Sequence, residues 1–347
     1  MRLGGALAGV AAVVGVAAAA SAEDLTQPWQ AALGAASQRL SLYSVTRAAP
    51  PGSEEYIAGR AHLMGVDHKA GIEFLGKDWF ARPILTYESN FNDKIPGRTI
   101  KLGGLTFVVA PEDRAKGGGV VGLRAGGAAV WSYAQGSTIT AATEVGLRYL
   151  PAHDLTRVNA DLSVCATNWL GGWTWADACA AYFHINRNDG EEVDERQFSL
   201  GLTNDFSAAG ADHEISGGLR LTERPAYSKT SVDLSWEGAL PQIGALRMGA
   251  MWGEEIPGQN TSVRGVNLRL ARPIRDQPTV IGIDVQWTKG AQIFGFDRTD
   301  RIVGVSVQRQ VWRDVTATLQ LRQTDSSVDV FDETTASLDF SFANWRF

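Results

Sequence analysis

Hydrophobic and polar residues alternate along most of the chain after residue 80, with the period of two that is typical of β-strands. The C-terminal stretch shows the pattern well, because polar residues separate Leu338, Phe340 and Phe342. Comparable segments of about ten residues recur through the sequence, and together they predict about fourteen strands. The alternation changes phase before Trp345, which predicts a bulge near Ala343.

Strands with one apolar face fit either a soluble sandwich or a membrane barrel. Two features favour the barrel: tryptophans collect near predicted strand ends, where interface girdles place them, and short connections alternate with long ones. A spanning sheet must also close, because each unpaired backbone group costs several kcal/mol in hydrocarbon. The predicted fold is therefore all-β, a transmembrane antiparallel up-and-down β-barrel of about fourteen strands.

Composition narrows the function. Charged residues make up 20% of the chain, and the formal net charge is −6, so a nucleic-acid partner is not expected. The chain has 11 Trp and 38 Gly, which suits a barrel. The sequence shows no phosphate-binding glycine motif, and we expect no cofactor.

The N-terminus predicts export. Arg2 precedes an apolar, alanine-rich stretch, and Ala20-Ser21-Ala22 fits a small-x-small cleavage site. The predicted organisation is a signal peptide (1–22), an N-terminal extension (23–79) and a barrel (80–347). The extension reads equally as a periplasmic segment, a plug or an extra hairpin. Export and a barrel together predict the outer membrane of a Gram-negative bacterium.

Few residues suggest chemistry. A hairpin centred on Gly172 would place Cys165 opposite Cys179 and allow a disulfide, whereas one residue of slip would separate them. The five His are scattered, so no metal site is predicted. No catalytic residues are predicted; an enzyme at the rim would require His153 or His184 to meet a serine and a carboxylate.

The polar faces of the strands predict a charged lumen with six basic and six acidic side chains. This balance argues against strong selection of anions or cations, and the charges either orient a solute or pair across the wall. The predicted lumen residues are Arg124, Glu144, Arg148, Asp161, Glu214, Arg220, Asp233, Glu237, Arg247, Arg269, Asp284 and Arg322.

Two segments resemble the C-terminal barrel of the surface lipoprotein assembly modifier family. The first is Pro83-Ile84-Leu85-Thr86-Tyr87-Glu88-Ser89-Asn90-Phe91-Asn92 with the following 100–107, and the second is 326–332 with the last strand. The resemblance implies a fourteen-stranded barrel with a long first loop. The family's N-terminal helical repeats have no counterpart, because 23–79 is too short for several repeats of about 34 residues.

The predicted function is a pore or translocator for solutes or a polypeptide segment. The alternative is a closed structural or ligand-binding barrel whose outer loops recognise an envelope component. Expected partners are outer-membrane lipid and lipopolysaccharide, the barrel assembly machinery, and a translocated polypeptide or small solute. The C-terminal aromatic residues Trp345 and Phe347 are the expected assembly signal.

Overall fold

The computed structural model describes residues 37–64, 71–102, 105–240, 243–293, 295–312, 315–342 and 345–346. Fourteen long strands form one antiparallel sheet. In chain order they are β1 (Glu73–Glu88), β2 (Gly118–Ala134), β3 (Ser137–Leu150), β4 (Leu155–Gly171), β5 (Thr174–Arg187), β6 (Glu192–Ala208), β7 (Ala211–Arg224), β8 (Tyr227–Leu240), β9 (Gly244–Gly253), β10 (Thr261–Ile274), β11 (Gln277–Lys289), β12 (Asp300–Trp312), β13 (Val315–Ser326) and β14 (Glu333–Phe342).

The sheet closes into a barrel because each strand pairs with its sequence neighbours and β1 also pairs with β14. At this closing seam, residues 85–88 of β1 lie opposite residues 337–340 of β14, and residues 80–81 pair with the short extension Trp345–Arg346. The predicted fold class is confirmed. The bulge predicted near Ala343 and the side chains of Trp345 and Phe347 lie outside what the structure describes, as does the signal peptide.

The first strand begins at Glu73, which differs from the predicted barrel boundary at 80. Residues 73–79 pair with β2 through a register shift between Phe74 and Gly76. That shift breaks the simple alternation of apolar residues, so the pattern gave no strand there. Residues 73–79 thus belong to the barrel wall, and only the chain before them is extension.

The outer surface of the barrel is apolar. Large side chains at alternate positions of the strands are exposed, including Leu123 on β2, Leu200 on β6 and Leu319 on β13. Such a surface is stable in lipid and costly in water, so the barrel spans a membrane. None of the described helices is long and apolar enough to cross a membrane.

The two ends of the barrel differ. At one end, here called the turn end, strands join through short turns such as 135–136, 209–210 and 275–276. At the other, the loop end, residues 89–117 form the longest connection, which contains a hairpin of Thr99–Leu102 with Leu105–Val108; a smaller hairpin joins Gln292–Ile293 to Phe296–Asp297. The connection between β5 and β6 covers only residues 188–191, because the two strands pair as far as Asn186 and Glu192.

In the described residues before the barrel there are two helices, α1 (Gln38–Ala48) and α2 (Glu54–Met64), together called the helix pair. The Ser37 side chain caps α1 by accepting a hydrogen bond from Leu40 N at 3.2 Å. The pair packs closely where Gly59 of α2 meets the fully buried Thr46 of α1, since a Cβ at residue 59 would collide with that side chain.

Candidate functional site

The lumen is polar and open to water. Asn267 and Arg269 of β10 and Gln308 of β12 point inward, on the face opposite the lipid-exposed residues, yet they are solvent-exposed. A Cβ added at inward-facing Gly146 would meet no atom within 4 Å. Fourteen strands therefore enclose more space than their side chains fill.

All twelve predicted lumen residues lie on this inward face, and several are paired there. Arg124 contacts Glu144 at 3.0 Å, and Arg220 contacts Asp233 at 3.2 Å. Like charges are also adjacent, because Arg247 of β9 has Arg269 of β10 directly across from it on one side and Glu237 of β8 on the other. The wall thus carries both neutralised pairs and adjacent like charges.

The helix pair seats an apolar face against the inner wall at the turn end. Leu40 and Tyr43 of α1 are buried against three small residues, which are Ala239, Ala245 and Ala271 of β8, β9 and β10. The small side chains leave room for the helix inside the barrel. The ring of Tyr43 also meets the ring of Trp173 edge to face, with centroids 4.7 Å apart.

Trp173 and Trp175 differ from their predicted place in a lipid-interface girdle. Trp175 is only 2% exposed, and its indole N–H donates to the carbonyl of Leu63 in α2 at 3.1 Å. The guanidinium of Arg39 lies over the same indole, 4.8 Å from its centroid. A position near a strand end does not show whether a tryptophan faces lipid or the lumen. Trp173 and Trp175 face the lumen, where they contact the helix pair.

Polar contacts hold α1 to the wall along its length. Ser37 Oγ donates to Glu214 at 2.9 Å, and the Arg47 guanidinium contacts Asp212 at 2.8 Å. The Tyr43 hydroxyl hydrogen-bonds to Ser207 at 2.8 Å. Because these contacts join hydrophilic groups, both surfaces remain compatible with water if they separate.

Beneath the helix pair, the wall carries a row of acids. The strand register aligns Asp205 of β6, Glu214 of β7 and Glu237 of β8 as direct neighbours. Asp205 and Glu237 are each 2% exposed, and within the described residues neither Asp205 oxygen has a hydrogen-bond partner. Buried carboxylates without partners cost free energy, so the docked helix pair covers a site that water would stabilise.

At the loop end, residues 89–117 form a cover that is fixed to the wall by the half-buried Arg157 and the buried Arg187. Arg157 of β4 bonds Glu88 at 2.9 Å and lies over the ring of Phe91, 4.6 Å from its centroid. Arg187 of β5 has a side chain only 3% exposed and pairs with Asp93 at 3.0 Å. These contacts attach the start of the cover to the inside of the barrel mouth.

Arg187 also binds the loop beyond its own strand. Its guanidinium contacts Asp189 at 3.2 Å and Glu191, and Lys94 of the cover reaches Asp189 at 3.5 Å. Burial tends to raise the pKa of Asp189, but Arg187 and Lys94 outweigh that effect and hold the pKa below its usual range. The acidic connection between β5 and β6 is therefore an anchor for the cover.

The other side of the cover packs on the β13–β14 connection. Val109 is buried against Val328, Val330 and Phe331, with Ile95 and Ile100 at the edge of the cluster. The Asn90 amide donates to the Glu333 carboxylate at 3.0 Å. The cover thus reaches from the closing seam to β5.

Sequence reasoning missed Arg157, Arg187 and Glu88, because isolated charges on a strand do not reveal partners on a distant loop. A signal did exist in the Ser89–Asn92 motif, where asparagines fix the base of the cover. The buried side chain of Asn92 donates to Arg114 O at 2.9 Å and accepts from Lys116 N at 2.7 Å.

Cys165 and Cys179 are direct partners in the β4–β5 ladder, and their sulfurs form a disulfide. Both cysteines face the lumen, and each lies two residues along its strand from Thr167 or Asp177. The Thr167 hydroxyl donates a hydrogen bond to the Asp177 carboxylate at 2.6 Å. The disulfide thus forms part of the lumen wall, near the level of the helix pair, where Arg39 contacts Asp177 at 3.8 Å.

No protein family matches the sequence, and no curated protein is significantly similar to it. Among solved structures, Pseudomonas putida OprB has 9% identity and a TM-score of 0.46, covering 80% of this chain and 94% of its own. Pseudomonas aeruginosa OpdK with vanillate has 6% identity and a TM-score of 0.41, and the match covers 79% of this chain and 100% of OpdK. The β domain of the Bordetella autotransporter BrkA has 14% identity and a TM-score of 0.29, and the match covers 77% of this chain and 99% of that domain. At these identities and TM-scores, nothing about function transfers from them.

Proposed function

We propose that this protein is a pore or translocator barrel of the outer membrane of a Gram-negative bacterium, closed by its own helix pair. The observation that carries the proposal is a helix pair seated inside one end of a polar, solvent-exposed lumen. A barrel needed only as a scaffold would gain more stability from an apolar filling than from a wet interior with uncompensated charges.

In this proposal the loop end faces outward and the turn end faces the periplasm, which is the usual arrangement of such barrels. The helix pair then blocks the periplasmic exit. Lipid and lipopolysaccharide surround the wall, and the assembly machinery reads the C-terminal aromatic residues. The passenger is a small hydrophilic solute or an extended polypeptide segment, because the mixed charges of the wall favour neither sign strongly.

Conductance in planar bilayers tests the proposal. We would compare the full-length protein with a variant lacking residues 23–70, which leaves the whole of β1 intact. The expected result is rare opening of the full-length protein and sustained conductance of the variant. The folded state of each protein is checked by its heat-dependent migration on a gel.

A second candidate is a closed barrel whose loops bind an envelope component. The fixed cover at the loop end favours it, because Arg187 pairs with Asp93 of the cover and Arg157 donates to the carbonyl of Phe91. If both proteins fold and neither conducts, the proposal of a pore is refuted and the ligand-binding barrel becomes the better proposal.

A further inference from the structure

His184, Glu192 and Asp194 form a cluster on the outer wall of the barrel near the loop end. His184 lies on β5 and the two acids on β6, at the same alternate positions as the lipid-exposed Tyr182 and Phe198. The register places His184 directly opposite Asp194, with Glu192 two residues further toward the loop end on the same face. The sequence did not predict this set, because its members are brought together only by the antiparallel pairing of β5 and β6.

The ligand atoms of the cluster lie almost close enough together to share one metal ion. His184 Nδ1 lies 3.0 Å from Asp194 Oδ1, and one ligand atom of each of the three residues falls within 4.8 Å of the others. Zinc-to-ligand distances are about 2.0–2.2 Å, so two ligands on one ion are at most about 4.4 Å apart. A set closed around one ion therefore requires a small movement of the exposed Glu192 side chain and an ion in place of the His184–Asp194 hydrogen bond.

Charge and rigidity support the same interpretation. The two carboxylates favour a divalent cation, and the one nearby positive charge outside the cluster that acts on Asp194 in the described residues is Arg196. Glu192 makes no ion pair with any residue that the structure describes. Asp194 is fixed by the Tyr182 hydroxyl and by the ladder between β5 and β6, so two ligands are positioned in advance.

We propose that His184, Glu192 and Asp194 bind a divalent transition-metal ion of the Zn²⁺ class on the outward face of the barrel rim. An imidazole ligand favours such ions over Mg²⁺ and Ca²⁺, which prefer oxygen ligands alone. Three protein ligands leave a coordination position open toward the surroundings. The site does not depend on whether the lumen conducts.

Zinc binding to the full-length, untagged protein in detergent micelles tests the proposal, with a chromophoric chelator as competitor. We expect one tight site per chain, at least tenfold weaker binding in His184→Ala and in Asp194→Asn, and a smaller loss in Glu192→Gln. His153→Ala is the matched control, because His153 lies in the neighbouring loop-end connection and should leave the affinity unchanged. Equal affinity of His184→Ala and wild type would overturn the site, as would millimolar Mg²⁺ displacing Zn²⁺.

A measurement on the unmutated protein guards against misfolded variants. Diethyl pyrocarbonate modifies accessible imidazoles, and mass spectrometry reports each histidine separately. Zn²⁺ should slow modification of His184 at least fivefold and leave His153 unaffected. The same rate at His184 with and without Zn²⁺ would refute the proposal.

Discussion

Truncating Leu40 should open the pore. This side chain is fully buried between the helix pair and the alanines of the wall, so it stabilises the docked state directly. Replacing a buried Leu by Ala costs about 2–5 kcal/mol. Leu63 of the helix pair itself packs against the same cluster, so we take the loss on docking near the lower end of that range. At about 1.4 kcal/mol per factor of ten, a loss of about 2.7 kcal/mol shifts the equilibrium roughly a hundredfold.

Single-channel recording measures this shift as open probability. Leu40→Ala should raise it by about a hundredfold, or to saturation if the wild type already opens often. Ile57→Ala is the matched control, because Ile57 belongs to the same helix pair but is 55% exposed. The reasoning fails if Leu40→Ala, folded and inserted, opens no more often than Ile57→Ala.

Three further predictions concern the charged contacts. Arg47→Glu should raise open probability only a few-fold, since Arg47 is 51% exposed, and adding Asp212→Arg should reverse the gain; bilayer recording of both variants checks this. Asp205→Asn should lower open probability, because the docked helix pair would no longer bury a carboxylate without a partner; an unchanged or higher value in the same recording would contradict this. Arg187→Met should loosen the cover by removing the ion pair of Asp93, so limited proteolysis should cut within 89–117 while the barrel stays intact.

The strands were predictable because lipid and a wet lumen impose opposite chemistry on alternate residues. Leu123 and Arg124 are an example, since one faces lipid and the other pairs with Glu144. The predicted inward residues follow from the same parity. Where a register shift interrupts the parity, as between Phe74 and Gly76, the pattern loses the strand.

The helix pair and the cover were less accessible to prediction, because both depend on contacts between residues far apart in the chain. Tyr43 and Ser207 are separated by 164 positions, and Arg157 and Glu88 by 69. Three alanines on three strands make the seat for Leu40, but alanine on an inward face has no distinctive sequence signature. The same limit hid His184 and Asp194 as a pair.

The cover at the loop end can take its final position only in a barrel that has closed correctly. Asn90 bonds Glu333, which is 243 residues away, and the Ser89 hydroxyl accepts from the Ala336 backbone N–H. These contacts can form only after the first and last strands have paired, so this part of the cover becomes ordered after the barrel closes. Contacts of such long range form slowly because the intervening chain must first be ordered. If the first and last strands pair out of register, residues 89–117 lack these partners. The unattached cover then distinguishes the misfolded chain from the native barrel.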